Sequence, residues 1–352
     1  MAQPDTKTLT IIQPDDFHLH LRDGDVLQST VVQAAEQFRR AIIMPNLKPP
    51  VTTTEQAGRY RQRILEQLPQ DTPFQPLMTL YLTDNTPPEE IRKAKKSGFV
   101  HGVKLYPAGA TTNSDAGVTA LSKCMATLEE MQKQGMPLLM HGEVTDPDVD
   151  IFDREAVFID KVLIPLRKNL PDLKIVFEHI TTKAAAEYVT DAEGFIGATV
   201  TPQHLLFNRN HLLVGGIHPH HYCLPILKRE ENRQALLKAV TQKNRRFFAG
   251  TDSAPHAKGA KENACGCAGC YSASHAIELY ATVFEQQDAL DQLEWFIGIN
   301  GPKFYNLAVN RTTVTLEKKT WQVPESLPFG KDQVVPLMAG ETLGWKLVKG
   351  TK

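Results

Sequence analysis

Short apolar runs alternate with longer amphipathic stretches along most of this chain, and this alternation limits the fold more than any other feature of the sequence. The apolar runs that have the length and composition of strands are 9–13 together with 16–20, 41–45, 74–82, 101–106, 137–141, 174–179, 195–201 and 246–251. The stretches between and after them that predict helices are 26–40, 54–67, 88–97, 116–134, 153–169, 182–190, 229–243 and 272–287. Strands that alternate with helices indicate a parallel sheet, because a helix returns the chain to the start of the next parallel strand.

Eight strand-helix units predict an α/β fold of the closed (β/α)8 barrel type. A doubly wound open sheet is the alternative, but it normally carries a glycine-rich phosphate loop after an early strand, whereas here the first strand leads into HLHLRDG. We predict that the barrel is the catalytic domain and occupies residues 1–310. Residues 311–352 have short apolar runs, prolines and no helical pattern, which predicts a small irregular extension packed on the barrel.

Composition narrows the choice of partner. Of 352 residues, 41% are hydrophobic and 22% are charged, which is enough apolar material for a large core. A net charge of −1 gives no basic field for nucleic acid or an anionic membrane. We find neither a secretory signal pattern nor an apolar run of membrane-spanning length, roughly 18 residues. The sequence therefore predicts a cytoplasmic protein that acts on a small molecule.

Three of the five cysteines crowd into ENACGCAGC, as Cys265, Cys267 and Cys270. An odd number of cysteines fits a reducing compartment. The spacing could hold half of a zinc site, but it lacks the paired Cys-x-x-Cys of a zinc finger. We interpret this segment as a tight glycine-rich loop.

The end of the first strand, DFHLHLRD, places His18, His20 and Arg22 on one face, since side chains alternate along a strand. Two imidazoles one residue apart can reach the same metal ion, and a guanidinium can bind an anionic ligand. The pair alone is weak evidence, because the chain has 12 histidines and a second pair occurs at His218 and His220. From this motif alone, His18 and His20 could be metal ligands or ordinary polar histidines.

Reactive residues also lie at the ends of four other predicted strands. Lys104 ends the fourth, His141 the fifth and His179 the sixth, and Asp252 follows the eighth with His256 nearby. The carboxyl ends of barrel strands meet at one mouth. One tetrahedral zinc needs only three or four protein ligands, so the surplus predicts two metal ions.

Lys104 is the unexpected member of this set, because an ammonium repels cations. A lysine suits a metal site if burial lowers its pKa, because the neutral amine can then capture carbon dioxide. The resulting carbamate, N6-carboxylysine, would bridge both metals. The alternative is an ordinary ion pair with Glu143 or Glu178. The four histidines and the aspartate at matching strand ends favour the metal bridge.

Family motifs occur over most of residues 10–310. They are DFHLHLRDG, MPNLKPP, GVKLYPAGATTNSDAGV, MHGE, EHIT, HLLVGGIHPHHYCLPILK, FFAGTDSAPH, KENACGCAGC and NGPKFYNL. By these motifs the chain resembles the dihydroorotases of the shorter bacterial type (class II), in the amidohydrolase superfamily. It departs from their pattern at His218 and His221 in GGIHPHHY, and in SHAIELY after the cysteine segment. The resemblance implies a homodimeric cyclic amide hydrolase with two Zn²⁺ per subunit, which interconverts N-carbamoyl-L-aspartate and (S)-dihydroorotate in the third step of pyrimidine synthesis.

The resemblance also implies a role for individual residues. One zinc would be held by His18, His20 and Asp252, and the other by His141 and His179, with carboxylated Lys104 between them. Asp252 would also be the catalytic acid and base. The implied substrate contacts are Arg22, Asn46 and His256 through side chains, and Leu224 and Ala268 through backbone. In MPNLKPP, Asn46 could equally be a turn residue before prolines.

The segment from Pro107 to Asp115 follows the Lys104 strand and is rich in small residues. It could be a plain surface loop. However, Gly109 and Gly117 could serve as hinges, and Thr111 and Thr112 offer adjacent hydroxyls. We therefore predict a lid whose threonines bind the substrate.

Two other functions stay open at this point. A hydantoinase would share the metals but would not need Arg22 and Asn46 to bind a carboxylate. A noncatalytic member of the superfamily would have lost metal ligands, and none is missing here.

Overall fold

The computed structural model of the chain describes residues 7–264 and 266–348. Its strands are β1 Thr8–Ile12, β2 Asp15–Leu19, β3 Arg40–Ile43, β4 Gln75–Tyr81, β5 Val100–Leu105, β6 Leu138–His141, β7 Ile175–Glu178, β8 Ile196–Val200, β9 Phe247–Ala249, β10 Thr313–Gln322, β11 Leu327–Phe329, β12 Asp332–Val334 and β13 Thr342–Leu347. Its α-helices are α1 Leu27–Gln37, α2 Thr54–Glu66, α3 Pro88–Ser97, α4 Met125–Gln134, α5 Arg154–Phe158, α6 Ile164–Asn169, α7 Lys183–Asp191, α8 Pro202–Leu206, α9 Asn210–Leu213, α10 Glu230–Thr241, α11 Lys258–Lys261, α12 Ala276–Gln286, α13 Leu290–Glu294 and α14 Asn300–Phe304. A π-helical turn joins α5 to α6, and another joins α13 to α14.

Strands β2 to β9 form one parallel sheet of eight strands, in chain order. The sheet closes on itself where β2 meets the residues after β9. There Asp252 N donates to His18 O at 2.9 Å and His20 N donates to Ser253 O at 3.1 Å. The predicted (β/α)8 barrel is confirmed.

Local sequence signals set several helix ends. Thr53 caps α2 and forms a reciprocal capping box with Gln56, which satisfies backbone N–H groups that have no partner inside the helix. Helix α3 starts with Pro88, whose fixed φ suits a first helical position, and stops at Gly98, which has φ 73°. These ends place the helices around the sheet, so that the strand residues of β2 to β9 are almost all buried.

The run predicted at 9–13 is a strand, but it lies outside the barrel. This strand, β1, pairs antiparallel with β10, and β10 pairs with β13. The C-terminal segment also contains the β11–β12 hairpin. Trp345 of β13 is fully buried, so this small sheet packs firmly on the helices, where β13 contacts α12.

Helix α4 begins at Met125 and not near residue 116, as the apolar spacing had predicted. Val118 instead pairs with the residues that follow β5, where Val118 N donates to Tyr106 O at 2.8 Å and Ala108 N donates to Val118 O at 3.0 Å. A Cβ at Gly117 would lie 2.3 Å from Tyr106 O, so the close approach requires glycine. The chain from 107 to 120 therefore forms a folded loop. No helix in the described part of the chain combines the length and apolarity needed to cross a membrane.

Candidate active site

The barrel brings the predicted strand-end residues together at one mouth. His18 and His20 lie at the end of β2, and Asp252 lies just after β9. The Oδ1 atom of Asp252 is 3.2 Å from His18 Nε2 and 3.1 Å from His20 Nε2. The two Nε2 atoms are themselves 3.2 Å apart. Two imidazoles and a carboxylate therefore point at one place, as ligands of a shared cation would.

His141 and His179 complete the cluster from the ends of β6 and β7. Their ring centroids are 4.8 Å apart, and the His18 and His179 centroids are 5.0 Å apart. His141 Nε2 contacts Glu143 Oε2 at 2.7 Å. All four imidazoles are at least nine-tenths buried, so these rings are shielded from bulk water.

Lys104 lies beneath the cluster on β5 and has no exposed surface. Burial lowers the pKa of its ammonium, although the Glu178 carboxylate opposes this shift. The ammonium forms an ion pair with Glu178, which is one of the two acidic partners that the sequence left open. Glu178 also comes within 3.2 Å of His18 Nδ1. The lysine is therefore in contact with the cluster that we predict it bridges.

The donor atoms of this cluster suit divalent metal ions. Two sets have ligand atoms that all lie within 4.8 Å of one another, and these are His18 with His20 and Asp252, and His18 with Glu178 and His179. The Nδ1 atom of His179 is buried and has no hydrogen-bond partner among the described residues. Buried polar atoms are rarely left in this way, and a bound cation would satisfy this nitrogen.

The protonation states of His179 and Asp252 agree with a ligand role. Burial and the neighbouring Lys104 ammonium hold the pKa of His179 well below its ordinary value, which keeps a nitrogen lone pair free. Burial would raise the pKa of Asp252, but the His18 imidazole and the hydrogen bonds from His18 and His20 hold that pKa well below its usual range. At neutral pH the site therefore presents a neutral imidazole beside an ionised carboxylate.

Three site residues have the left-handed backbone conformation that ordinarily favours glycine. Their φ angles are 62° at Arg22, 41° at His179 and 46° at Asp252. Each lies where a strand has just ended, and His179 N is held by Thr199 Oγ1 at 2.7 Å. Backbone strain of this kind concentrates at functional sites, where the surrounding structure enforces it.

Arg22 and His256 form a second, cationic side of the site. Arg22 Nε donates to Pro255 O at 3.0 Å, and Arg22 Nη2 lies 3.0 Å from His256 Nε2. His256 Nε2 is also 3.0 Å from Ala268 O. Burial and the nearby guanidinium lower the pKa of His256 to about 2. This side therefore offers a guanidinium, a neutral imidazole and backbone groups to an anion.

The loop after β5 covers the mouth. Asn46 Nδ2 donates to Thr112 O at 3.1 Å, Asn113 Nδ2 donates to Asn46 O at 2.9 Å, and the Thr112 hydroxyl donates to Ala268 O at 3.4 Å. The cavity below the loop has a volume of about 20 Å³, which is room for about one water molecule. The loop is closed in this structure.

Most of the residues predicted for the site line this one cavity. They are His18, His20, Arg22, Asn46, Thr111, Thr112, His141, His179, Leu224, Asp252 and Ala268. Lys104 contacts the cluster through Glu178, and His256 joins Arg22 to Ala268. The sequence interpretation missed Tyr106, whose buried hydroxyl has no hydrogen-bond partner among the described residues. The strand period offers a signal for it, since Tyr106 lies two residues after Lys104.

A (β/α)8 barrel that collects histidines, an aspartate and a buried lysine at its strand ends defines a class of metal-dependent hydrolases. The model of the amidohydrolase family matches residues 8–313. The chain is 68% identical over 343 residues to the dihydroorotase of Ralstonia pickettii (strain 12J), which covers 97% of this chain and 100% of the relative.

Two solved structures are similar over nearly their whole length. The dihydroorotase of Campylobacter jejuni has a TM-score of 0.90 and 38% identity and covers 98% of this chain and 99% of its own. The dihydroorotase of Saccharomyces cerevisiae, in complex with 5-fluoroorotic acid, has a TM-score of 0.89 and 32% identity and covers 97% of this chain and 98% of its own. The chain therefore belongs to the amidohydrolase family and, within it, to the dihydroorotases. The predicted family and the prediction of an enzyme that is a cyclic amide hydrolase are confirmed.

Proposed function

We propose that this chain catalyses the reversible cyclisation of N-carbamoyl-L-aspartate to (S)-dihydroorotate and water, the third step of pyrimidine synthesis. One observation carries the proposal. A single cavity is lined both by metal-type donors and by the Arg22 guanidinium, which His256 contacts at 3.0 Å. That arrangement suits a substrate with a reacting amide at one end and a carboxylate at the other.

The residues that would hold the metals are the strand-end cluster. We assign His18, His20 and Asp252 to one Zn²⁺ and His141 and His179 to the other, with Lys104 between them as N6-carboxylysine. The unpartnered Nδ1 of His179 and the absence of exposure at Lys104 support this assignment. When bound, such ions lower the pKa of water and polarise a carbonyl group.

Asp252 is the residue that we assign to proton transfer. Its carboxylate stays ionised at neutral pH, because contacts with His18 and His20 hold its pKa low. It can therefore accept a proton from the attacking water and deliver it to the leaving ring nitrogen. In the direction of ring closure the same carboxylate accepts the proton from nitrogen.

The cationic side would bind the substrate carboxylate. The guanidinium of Arg22 presents several donors in a rigid fork, which matches a carboxylate. His256 fixes that guanidinium from one side at 3.0 Å. The Asn46 amide and the backbone at Leu224 and Ala268 line the same cavity and would orient the rest of the ring.

The loop after β5 would act as a lid. A cavity of about 20 Å³ does not admit a six-membered ring with a carboxylate, so the loop has to open for each turnover. The hydrogen bond from Thr112 to Ala268 O is long, at 3.4 Å, so its loss when the loop opens costs little free energy. Thr111 and Thr112 would then donate their hydroxyls to the substrate once the loop closes over it.

The remaining assignments concern the whole molecule. We propose a cytoplasmic homodimer, with residues 1–310 as the catalytic barrel domain and 311–352 as an extension. The pairing of β1 with β10 supports a close association of the extension with the barrel. Light scattering coupled to gel filtration measures the subunit number directly.

Turnover of three cyclic amides tests the proposed reaction. Purified protein is assayed with dihydroorotate, hydantoin and dihydrouracil, and its metal content per chain is measured. We expect efficient ring opening of dihydroorotate alone and about two zinc ions per chain. Faster turnover of hydantoin or dihydrouracil would contradict the proposal, because neither ring carries the carboxylate that Arg22 would bind.

A further inference from the structure

Lys261 is a buried cation that the reaction described above does not use. It ends the short helix α11, and only 4% of its surface is exposed. Its ammonium donates to three backbone carbonyls, at 3.1 Å to Tyr222, 2.8 Å to Cys267 and 2.6 Å to Gly269. An ammonium has three hydrogens, so its donors are all occupied.

No carboxylate of the described residues lies within ion-pair distance of this ammonium. A cation buried without an anionic partner is costly, so carbonyl dipoles have to stabilise it. Burial accordingly lowers the pKa of Lys261. The segment 266–270 is thus organised around the ammonium group of Lys261.

The three carbonyls flank backbone groups that line the cavity. Cys267 and Gly269 lie on either side of Ala268, and Tyr222 lies two residues before Leu224. Gly269 N also donates to Tyr222 O at 2.9 Å. One ammonium therefore ties together the two loops that present backbone to the substrate.

These loops have little freedom to shift. Gly269 has φ 150°, and a Cβ there would lie 2.5 Å from the carbonyl oxygen of Ala254 and 3.0 Å from the His256 ring. On the other side, Ala268 O contacts His256 at 3.0 Å and Thr112 at 3.4 Å. A displacement of the loop would disturb the carboxylate side and the lid together.

We infer that Lys261 is a positioning residue that sets the backbone of Leu224 and Ala268 for substrate binding. The inference rests on the proposed function. It also gives the Cys267 segment a role without a metal, since the loop is organised by a lysine. Groups that hold substrate equally before and during the reaction change KM and leave kcat nearly constant.

Two substitutions and a matched control test the inference. Lys261→Met keeps the length but removes the ammonium, and Lys261→Arg keeps the charge but cannot direct three donors at the same carbonyls. Lys258→Met changes an exposed lysine of the same helix, whose nearest acidic partner is Glu262 at 4.0 Å.

We expect the KM for N-carbamoyl-L-aspartate to rise by about tenfold in Lys261→Met and by about threefold in Lys261→Arg, with kcat within about twofold of the parent and metal content unchanged. Lys258→Met should match the parent. Hydrogen exchange over 222–225 and 266–270 should accelerate in the same order.

A parental KM in Lys261→Arg, or a fall in kcat without a rise in KM, would overturn the inference even if Lys261→Met fails to fold. Failure of the parent protein to use N-carbamoyl-L-aspartate would instead count against the proposed function. In that case the hydrogen-exchange rates still test the positioning role of Lys261. Equal exchange over 222–225 and 266–270 in the parent and in Lys261→Arg would overturn it.

Discussion

The two halves of the cavity are held in different ways. The half that carries His18, His141 and His179 consists of residues at or directly after the ends of β2, β6 and β7, and parallel pairing with neighbouring strands holds these three strands in place. The half that carries Thr112 and Ala268 consists of loops, which side-chain contacts of 3.0 to 3.4 Å hold in place. Groups that carry out the chemistry need a rigid frame, whereas the proposed lid at Thr112 has to move to admit and release a substrate, while the Ala268 loop that it contacts stays in place. We refer to these as the strand half and the loop half.

This contrast predicts different kinetic effects. Substitutions in the strand half should lower kcat, because they remove groups that act in the transition state. Substitutions in the loop half should mainly change substrate affinity or the rate of closure.

The largest effect should come from Lys104→Ala in the strand half. Loss of the proposed bridge should lower kcat by a factor on the order of 1000, since transition-state charge stabilisation is removed. Added formate or acetate, supplied with zinc, should restore part of the activity by replacing the carbamate. Lys174→Ala, at the opposite end of the barrel beside β7, is the control and should keep parental turnover. Full activity of Lys104→Ala without rescue would exclude the bridge.

Asp252→Asn should have the second largest effect and lower kcat by a factor of about 100 or more. The amide keeps the shape of the side chain and much of the metal affinity, but it cannot accept the proton. Metal content and single-turnover rates are measured on the same preparation. Near-parental turnover with normal metal would remove Asp252 from proton transfer.

Arg22→Lys probes the boundary between the two halves, because Arg22 follows the end of β2 and contacts Pro255 and His256. The ammonium keeps the charge and loses the fork, so we expect KM to rise by roughly 10- to 100-fold, the equivalent of about 1.5–3 kcal/mol for a hydrogen bond to a charged group. Titration with dihydroorotate measures the affinity directly. An unchanged affinity would place the substrate carboxylate elsewhere.

Replacing Thr111 with Ala and Thr112 with Val should lower kcat/KM by about tenfold, because two hydroxyl donors to the substrate are lost. The metal content should not change, since the strand half is untouched. Proteolysis of the loop, with and without saturating dihydroorotate, reports closure separately. Parental turnover, or equal cleavage rates in both conditions, would contradict a lid.

The smallest effect concerns the free energy of unfolding and its dependence on pH, through His204, which contacts the backbone carbonyl of Pro225 next to Leu224. His204 accepts from Thr201 Oγ1 and donates to Pro225 O at 2.9 Å, and burial lowers its pKa from 6.5 to about 4. The unfolded chain therefore binds more protons between pH 4 and 6.5, so the contribution of His204 is present above pH 6.5 and is lost as the pH falls towards 4.

Between pH 7 and 5 this loss amounts to roughly 2 kcal/mol. Urea unfolding at both pH values should show that His204→Gln has a smaller pH dependence than the parent by that amount. His218→Gln, which changes an exposed histidine, should not differ from the parent. An identical pH dependence of the unfolding free energy in all three proteins would show that the pKa of His204 is the same in the folded and the unfolded chain.

The strand half was predictable from the sequence because its geometry is periodic. Alternation along a strand put His18 and His20 on one face, and the strand count put Lys104, His141 and His179 at the same end of a barrel. Their roles in catalysis stay predictions until the variants above are measured. Glu178 was named only as a possible partner of Lys104. Its contact with His18 joins β2 and β7, which are not neighbours in the sheet, so it depends on how the closed barrel brings distant strands together.

The loop half was less predictable, because contacts between distant segments set its shape. Val118 fits a helical pattern with Met125, yet it pairs with Tyr106, since Gly117 allows a close approach that no pattern of apolar residues encodes. Lys261 lies in a short polar stretch, and no pattern in the sequence marks it as buried. Its burial depends on Tyr222 and Gly269, which fold around it from two separate loops.

The position of β1 affects how the chain is made. Its partner β10 lies about 300 residues later in sequence, with Thr8 paired to Glu317, and the third strand of that sheet ends at Leu347. At a synthesis rate of about 5–20 residues per second, the ribosome needs roughly 15 to 60 seconds to reach the end of β10 after finishing β1. During that time the edge of β1, with the apolar side chains of Leu9 and Ile11, has no native partner to pair with. Chaperones that bind nascent chains would therefore have to shield β1 for longer than the later strands of this protein.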